Sequence, residues 1–229
     1  MYNYNLLINN IHEEWLPFFN ETENDLYNII NELNSYNKII YPDPNNIFRA
    51  FKYYSPCEFK LIILGQDPYI NTENNIPQAC GLAFSIPKSH KKIPPSLLNI
   101  YKEIKNSYPE IKIPNHGSLE RWIEEEKILL LNCSLTVESG KSNSHQILWF
   151  DWINKLIKFI NDINNRTIFL LMGKFAINKS KFIDCNKHKI FTTVHPSPLS
   201  ASKGFFGCNI FKLINDYLEI NNEKLIIWI

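Results

Sequence analysis

The sequence has almost no excess of charge. Its 24 Lys and Arg stand against 23 Asp and Glu, a formal net charge of +1. No global positive field therefore announces a nucleic-acid binder, and any anion-binding surface must be assembled locally. CxxC pairs are also missing. The 5 cysteines, Cys57, Cys80, Cys133, Cys185 and Cys208, lie far apart, which argues against a zinc or iron–sulfur site and for reduced thiols in a cytosol-like compartment. No stretch reaches the roughly 18 consecutive apolar residues of a membrane span. The opening "MYNYNLLINN" lacks the basic and apolar regions of a signal peptide. The expectation is a cytoplasmic protein, nuclear or organellar in a eukaryotic cell, without a membrane partner. Neither an internal repeat nor a low-complexity linker interrupts the chain, so its 229 residues read as one domain spanning 1–229.

What is present is a substantial apolar content, 45% of residues, arranged in two periods. Residues 12–34 space apolar groups at helical intervals and give way to "YPDPNNIFRAF", where two prolines enforce extended or turn backbone. Four short apolar runs of strand length follow: "FKLIILG" (59–65), "KILLLNC" (127–133), "TIFLLMG" (167–173) and "KIFTTVH" (189–195). Amphipathic segments of helical period lie around 95–107, 118–126, 149–164, 174–182 and 206–220. Strand and helix thus alternate, which predicts an α/β fold with a central four-stranded parallel sheet flanked by helices on both faces.

Parallel strands send the loops at their carboxyl ends to one edge, where α/β proteins bind ligands. The first run ends in Gln66-Asp67-Pro68-Tyr69, the second in Asn132, the third in Gly173-Lys174 and the fourth in His195-Pro196-Ser197-Pro198-Leu199. All four endings should face one crevice. Taken singly, each residue has an ordinary explanation: Asp67 as a turn residue before proline, Asn132 as a strand-ending turn, His195 as a histidine satisfying backbone.

The segments "GQDPYI", "GLAFSI", "PPSLLNIYKEI", "HGSLERW", "LLLNCSLTV", "NSH" and "HPSPLSASKGFFGC", in this order, change that balance. Together they resemble the motif series of the family-1 uracil-DNA glycosylases. The similarity runs from about residue 12 to the terminal "IIW". The resemblance implies a cofactor-free, metal-free monomer that hydrolyses the bond between deoxyribose and uracil in single- and double-stranded DNA, beginning base-excision repair. Such a reaction develops a cation on the sugar and an anion on the departing base. Because uracil leaves as a comparatively stable anion, a hydrogen-bond donor can replace the acid of ordinary glycosidases.

The family pattern then assigns roles. Asp67 would orient water and stabilise the sugar cation, and a neutral His195 would donate to uracil O2. A base must be read outside the helix. Asn132 would pair with N3–H and O4, Tyr69 would block a C5 methyl, Phe84 would stack under the ring, and Gln66 would add a contact. Leu199 would wedge into the vacated stack. Ser96, Gly173, Lys174, Ser197 and Lys203 would hold phosphates without reading sequence.

The chain departs from the family pattern at Ile70 and Cys80, where His is usual, at Lys174, where Ser is usual, and at Lys203, where Arg is usual. Ile70 removes a polar group near the sugar phosphate, whereas Lys174 adds charge. That loss keeps a second reading open: a DNA-binding replication scaffold of the same fold with reduced turnover. A protein inhibitor or replication partner belongs to either reading.

Overall fold

The computed structural model describes residues 2–229. Four strands form its sheet: β1 (Leu61–Gly65), β2 (Ile128–Asn132), β3 (Ile168–Met172) and β4 (Lys189–Thr193). All pairings are parallel, in the order β2-β1-β3-β4. Every residue of β1, β2 and β3 is buried. That explains their unbroken apolar runs, since a parallel strand covered on both faces has no solvent side to mark with polar residues. At the sheet edge, β4 stays partly exposed and begins with a lysine, a residue type that discourages further strand pairing.

Helices flank the sheet. Helix α1 (Glu23–Ser35) packs against α3 (Gln146–Ile163), and α2 (Pro95–Ser107) packs against α4 (Ile210–Ile220). The buried face of α3 carries Trp149, Trp152, Ile153, Leu156, Ile157 and Ile160, spacings of three and four that keep one stripe on the core. Around it gather Trp15, Phe18, Phe19, Phe48 and Phe51, all buried, with edge-to-face contacts such as Phe19–Phe48 at 4.9 Å. Proline opens α2 at its first position, where the missing N–H costs no helical hydrogen bond.

The four-stranded parallel sheet agrees with the sequence expectation, while helix boundaries shift. The segment 206–220 becomes helical only at Ile210. Residue Asn209 adopts φ +53°, and the buried Glu103 carboxylate accepts the N–H groups of Gly207 and Asn209, each at 2.7 Å. Segment 174–182 divides into a single helical turn, Lys174–Ile177, and a 3-10 turn, Ser180–Phe182. Segment 118–126 shortens to Glu120–Glu124, and α3 starts three residues before the expected 149.

A second, small apolar cluster lies apart from the main core. Tyr41, Ala79 and Val137 are buried together with Ile70 packed on them, beneath a two-residue antiparallel ladder joining Ile40–Tyr41 to Val137–Glu138.

Among the described residues, no helix is long and apolar enough to cross a membrane. None of their His, Cys, Asp and Glu side chains form a group suited to holding a metal ion.

Candidate active site

The carboxyl ends of the strands open into a cavity of about 700 Å³, within the roughly 300–1,000 Å³ typical of small-ligand sites. Every residue singled out from the sequence lines it: Gln66, Asp67, Tyr69, Phe84, Asn132 and His195 together with Ser96, Gly173, Lys174, Ser197, Leu199 and Lys203.

Strand β1 delivers the first group. Gly65 stands opposite Asn132 in the β1–β2 ladder. A Cβ there would lie 2.4 Å from Asn132 Oδ1 and 3.2 Å from Phe84 Cε2, so only glycine lets these side chains approach. The next residues are tied to β2's exit, Cys133 N–H donating to Gly65 O and Ser134 N–H to Gln66 O, both at 3.0 Å. Asp67 is then held by side-chain and backbone donors. Its Oδ2 accepts from the Asn143 N–H at 2.6 Å and the Ser142 hydroxyl at 2.9 Å, and its Oδ1 accepts from Gln66 Nε2 at 3.2 Å. Gln66 Nε2 also reaches Asn143 Oδ1 at 2.8 Å.

Tyr69 donates its hydroxyl to Phe84 O at 3.1 Å. Burial pushes its phenol far above the ordinary tyrosine value, so it stays neutral. Phe84 has φ +63°, an uncommon region for an aromatic residue that persists only where surrounding structure imposes it. Its ring sits 5.9 Å from the His195 imidazole, tilted by 40°. Asn132 is buried at the end of β2.

His195 follows β4. Its Nδ1 accepts the Ser197 N–H at 3.0 Å, which leaves the ring proton on Nε2 in the neutral form. Burial lowers its pKa, with the Asp67 charge opposing. The loop is fixed by Ser200 Oγ donating to His195 O at 2.7 Å and Asn99 Nδ2 donating to Pro196 O at 2.9 Å. Gly173 provides clearance: with φ +87°, a Cβ there would come 2.8 Å from His195 Cβ. Its own N–H is spent on Thr193 O at 2.9 Å, so Gly173 brings close approach rather than an anion-binding donor. Leu199 is 85% exposed, and Lys174 and Lys203 stand exposed at the rim.

Two contributions escaped the sequence reading. Ser142 and Asn143 reach Asp67 across more than 70 residues of chain; Asn143 opens the recognised motif "NSH", yet nothing local connected it or its neighbour Ser142 to a carboxylate. Ser200 shares a hydrogen bond with Ser197 at 3.0 Å and is the second serine of "HPSPLS".

Chemically, the cavity joins a fixed carboxylate, a neutral imidazole with an Nε2–H donor, a carboxamide and an aromatic face beneath a rim with two lysines. The profile of the Uracil DNA glycosylase superfamily matches residues 51–219. The chain is 45% identical over 192 residues to the uracil-DNA glycosylase of Actinobacillus succinogenes, covering 83% of this chain and 84% of that one. It is 42% identical over 217 residues to the uracil-DNA glycosylase of Blochmanniella floridana, covering 94% of each. A solved structure of a mimivirus UNG variant in complex with UGI superposes with a TM-score of 0.91 at 30% identity, covering 99% of this chain and 90% of that one.

Proposed function

From the premise that this chain belongs to the uracil DNA glycosylase superfamily, we propose how its cavity carries out the family's reaction. The enzyme excises uracil from DNA, releasing the free base and leaving an abasic site. The observation that carries the mechanism is the convergence of Asp67, Asn132 and His195, from the ends of β1, β2 and β4, on one cavity.

Uracil enters the cavity flipped out of the stack. Phe84 stacks on its ring, and Asn132 pairs with N3–H and O4. Cytosine presents the reverse order of donor and acceptor there and is refused. Tyr69, fixed by its bond to Phe84 O, occupies the C5 side, where thymine's methyl would clash. Gln66 contacts the base by its backbone. Its amide nitrogen is engaged with Asp67 and Asn143.

The C1′–N1 bond then breaks with its electron pair moving onto the uracil ring. His195 donates its Nε2–H to O2 and stabilises that anion without transferring a proton. Asp67 lies on the sugar side, stabilises the developing cation and accepts a proton from the water that attacks C1′. At the rim, Ser96, Ser197, Lys174 and Lys203 hold phosphates, Gly173 keeps the loops close, and Leu199 fills the vacated stack. Ile70 removes a polar group from this grip, and Lys174 restores charge.

A non-catalytic scaffold of this fold is not favoured, because the curated relatives matched over most of the chain are glycosylases and the reactive side chains are all in place. The UGI-bound neighbour supports a proteinaceous inhibitor as a partner. The five unpaired cysteines support a reducing, cytoplasmic setting, in which the chain acts as a monomer on single- and double-stranded DNA.

The test is a uracil-containing oligonucleotide, incubated with enzyme and cleaved by alkali at abasic sites. The enzyme should yield cleaved strand, and Asp67→Asn should lower turnover by about 10²–10⁴-fold with DNA affinity retained. Undiminished turnover in Asp67→Asn would move the catalytic carboxylate elsewhere.

A further inference from the structure

Asp67 is held asymmetrically. Each carboxylate oxygen offers about two acceptor sites. On Oδ2 both are filled, by the Asn143 N–H at 2.6 Å and the Ser142 hydroxyl at 2.9 Å, whereas Oδ1 receives only Gln66 Nε2 at 3.2 Å. The terminal torsion of an aspartate is broad and roughly two-fold, so one donor alone would leave the carboxylate free to swing. Two donors on one oxygen hold it.

The turn that supplies these donors is itself anchored. Glu138 N–H donates to Ser144 Oγ at 2.7 Å, and Gly140 N–H to Ile70 O at 3.0 Å. His145, buried, lies 2.9 Å from Thr136 Oγ1 through Nδ1, and Thr136 also accepts the Trp149 indole N–H at 2.7 Å. Asn143 itself sits at φ +64°, a region asparagine tolerates better than most residues. Ser142 is exposed on this turn and has no role in covering the core.

We infer that Ser142 is a positioning residue: with the Asn143 N–H it saturates Oδ2, fixes the carboxylate plane, and leaves Oδ1 as the oxygen that receives the proton of the attacking water. The inference rests on the assignment of Asp67 to that water.

Single-turnover rates at saturating uracil-containing single-stranded oligonucleotide, with KM and melting temperature, provide the test. Ser142→Ala should lower the rate about 5- to 10-fold, the scale of one typical net hydrogen bond, with KM unchanged and melting temperature preserved. Ser142→Thr keeps the hydroxyl and should restore the rate. In the Asp67→Asn background, Ser142→Ala should add almost nothing, because both act through one group. Three results would overturn the proposal: a raised KM with unchanged rate, which would make Ser142 a DNA contact; a folded Ser142→Thr as slow as Ser142→Ala; or losses that multiply in the double variant. Retained turnover in Asp67→Asn alone would instead sink the underlying assignment, and the role of Ser142 with it.

Discussion

Gly65 carries no functional group, yet replacing it by alanine should disable the reading of the base. The added Cβ would stand 2.4 Å from Asn132 Oδ1, where ordinary contact begins at 3.4 Å, so the oxygen must retreat by about 1 Å. The backbone cannot yield, because Gly65 and Asn132 face each other in a fully buried parallel ladder whose continuation is pinned by Cys133 N–H on Gly65 O at 3.0 Å. The carboxamide must therefore rotate or shift. A hydrogen bond of about 2.9 Å lengthened by about 1 Å is no longer one. Two bonds to the uracil edge would be lost, at about 1–1.5 kcal/mol each. That sums to about 2–3 kcal/mol, or about 30- to 150-fold in kcat/KM. Phe84 Cε2 at 3.2 Å and Ala83 Cβ at 3.3 Å need give only tenths of an ångström, so the fold should survive with a melting temperature lowered by a few degrees. The assay compares kcat/KM for Gly65→Ala, Asn132→Ala and the double variant on one oligonucleotide. Gly65→Ala should approach Asn132→Ala, and the double variant should be no worse than either. A folded Gly65→Ala with wild-type kcat/KM would refute the claim that the Asn132 carboxamide, in this position, reads the base.

Two further outcomes follow from the loop after β4. Burial holds His195 neutral below the ordinary histidine range, so the unfolded chain binds the extra proton first; the associated stability is complete above pH ~6.5 and is lost as pH falls below it. Urea melts at several pH values should show a shallower acid loss in His195→Leu than in the native protein, a difference that also removes the background from the buried His145 and His188. Leu199, 85% exposed, should matter where stacking must be broken. Leu199→Ala is expected to lose more single-turnover activity on duplex than on single-stranded uracil, with an unchanged salt slope because leucine releases no counterions. Equal losses would make Leu199 a packing residue of its own loop.

The strands were legible in the sequence because a parallel sheet buried on both faces writes itself as apolar runs, and the polar residues just beyond those runs had to gather at one edge. Leu61–Gly65 and Gln66-Asp67 show this directly. Helix starts were less legible: a carboxylate from Glu103, more than 100 residues away, takes the N–H groups at 207 and 209 and delays α4. The same distance hides the grip of Ser142 and Asn143 on Asp67. Clearance at Gly65 and Gly173 is invisible as well, since a glycine at a strand end looks like any turn residue until its neighbour across the ladder is known. Ile70 was legible only as a missing polar group; its apolar side chain has a packing partner that the sequence does not announce.

That packing partner gives the catalytic loop a foundation of its own. The Tyr41, Ala79, Val137 and Ile70 plug is far smaller than the main core, and its ladder pairs only two residues on each side. Cooperative opening follows local burial, and small clusters open at lower free energy than the cores they adjoin. The turn that grips Asp67 is bonded to Ile70 O through Gly140, so it shares the fate of the plug. Local opening at the plug is therefore expected at a lower temperature than loss of β1, β2 and β3, so on slow warming activity should fall before the circular-dichroism signal of the fold does; coincident losses would mean that the anchors through Ser144 and His145 tie the turn to the main core.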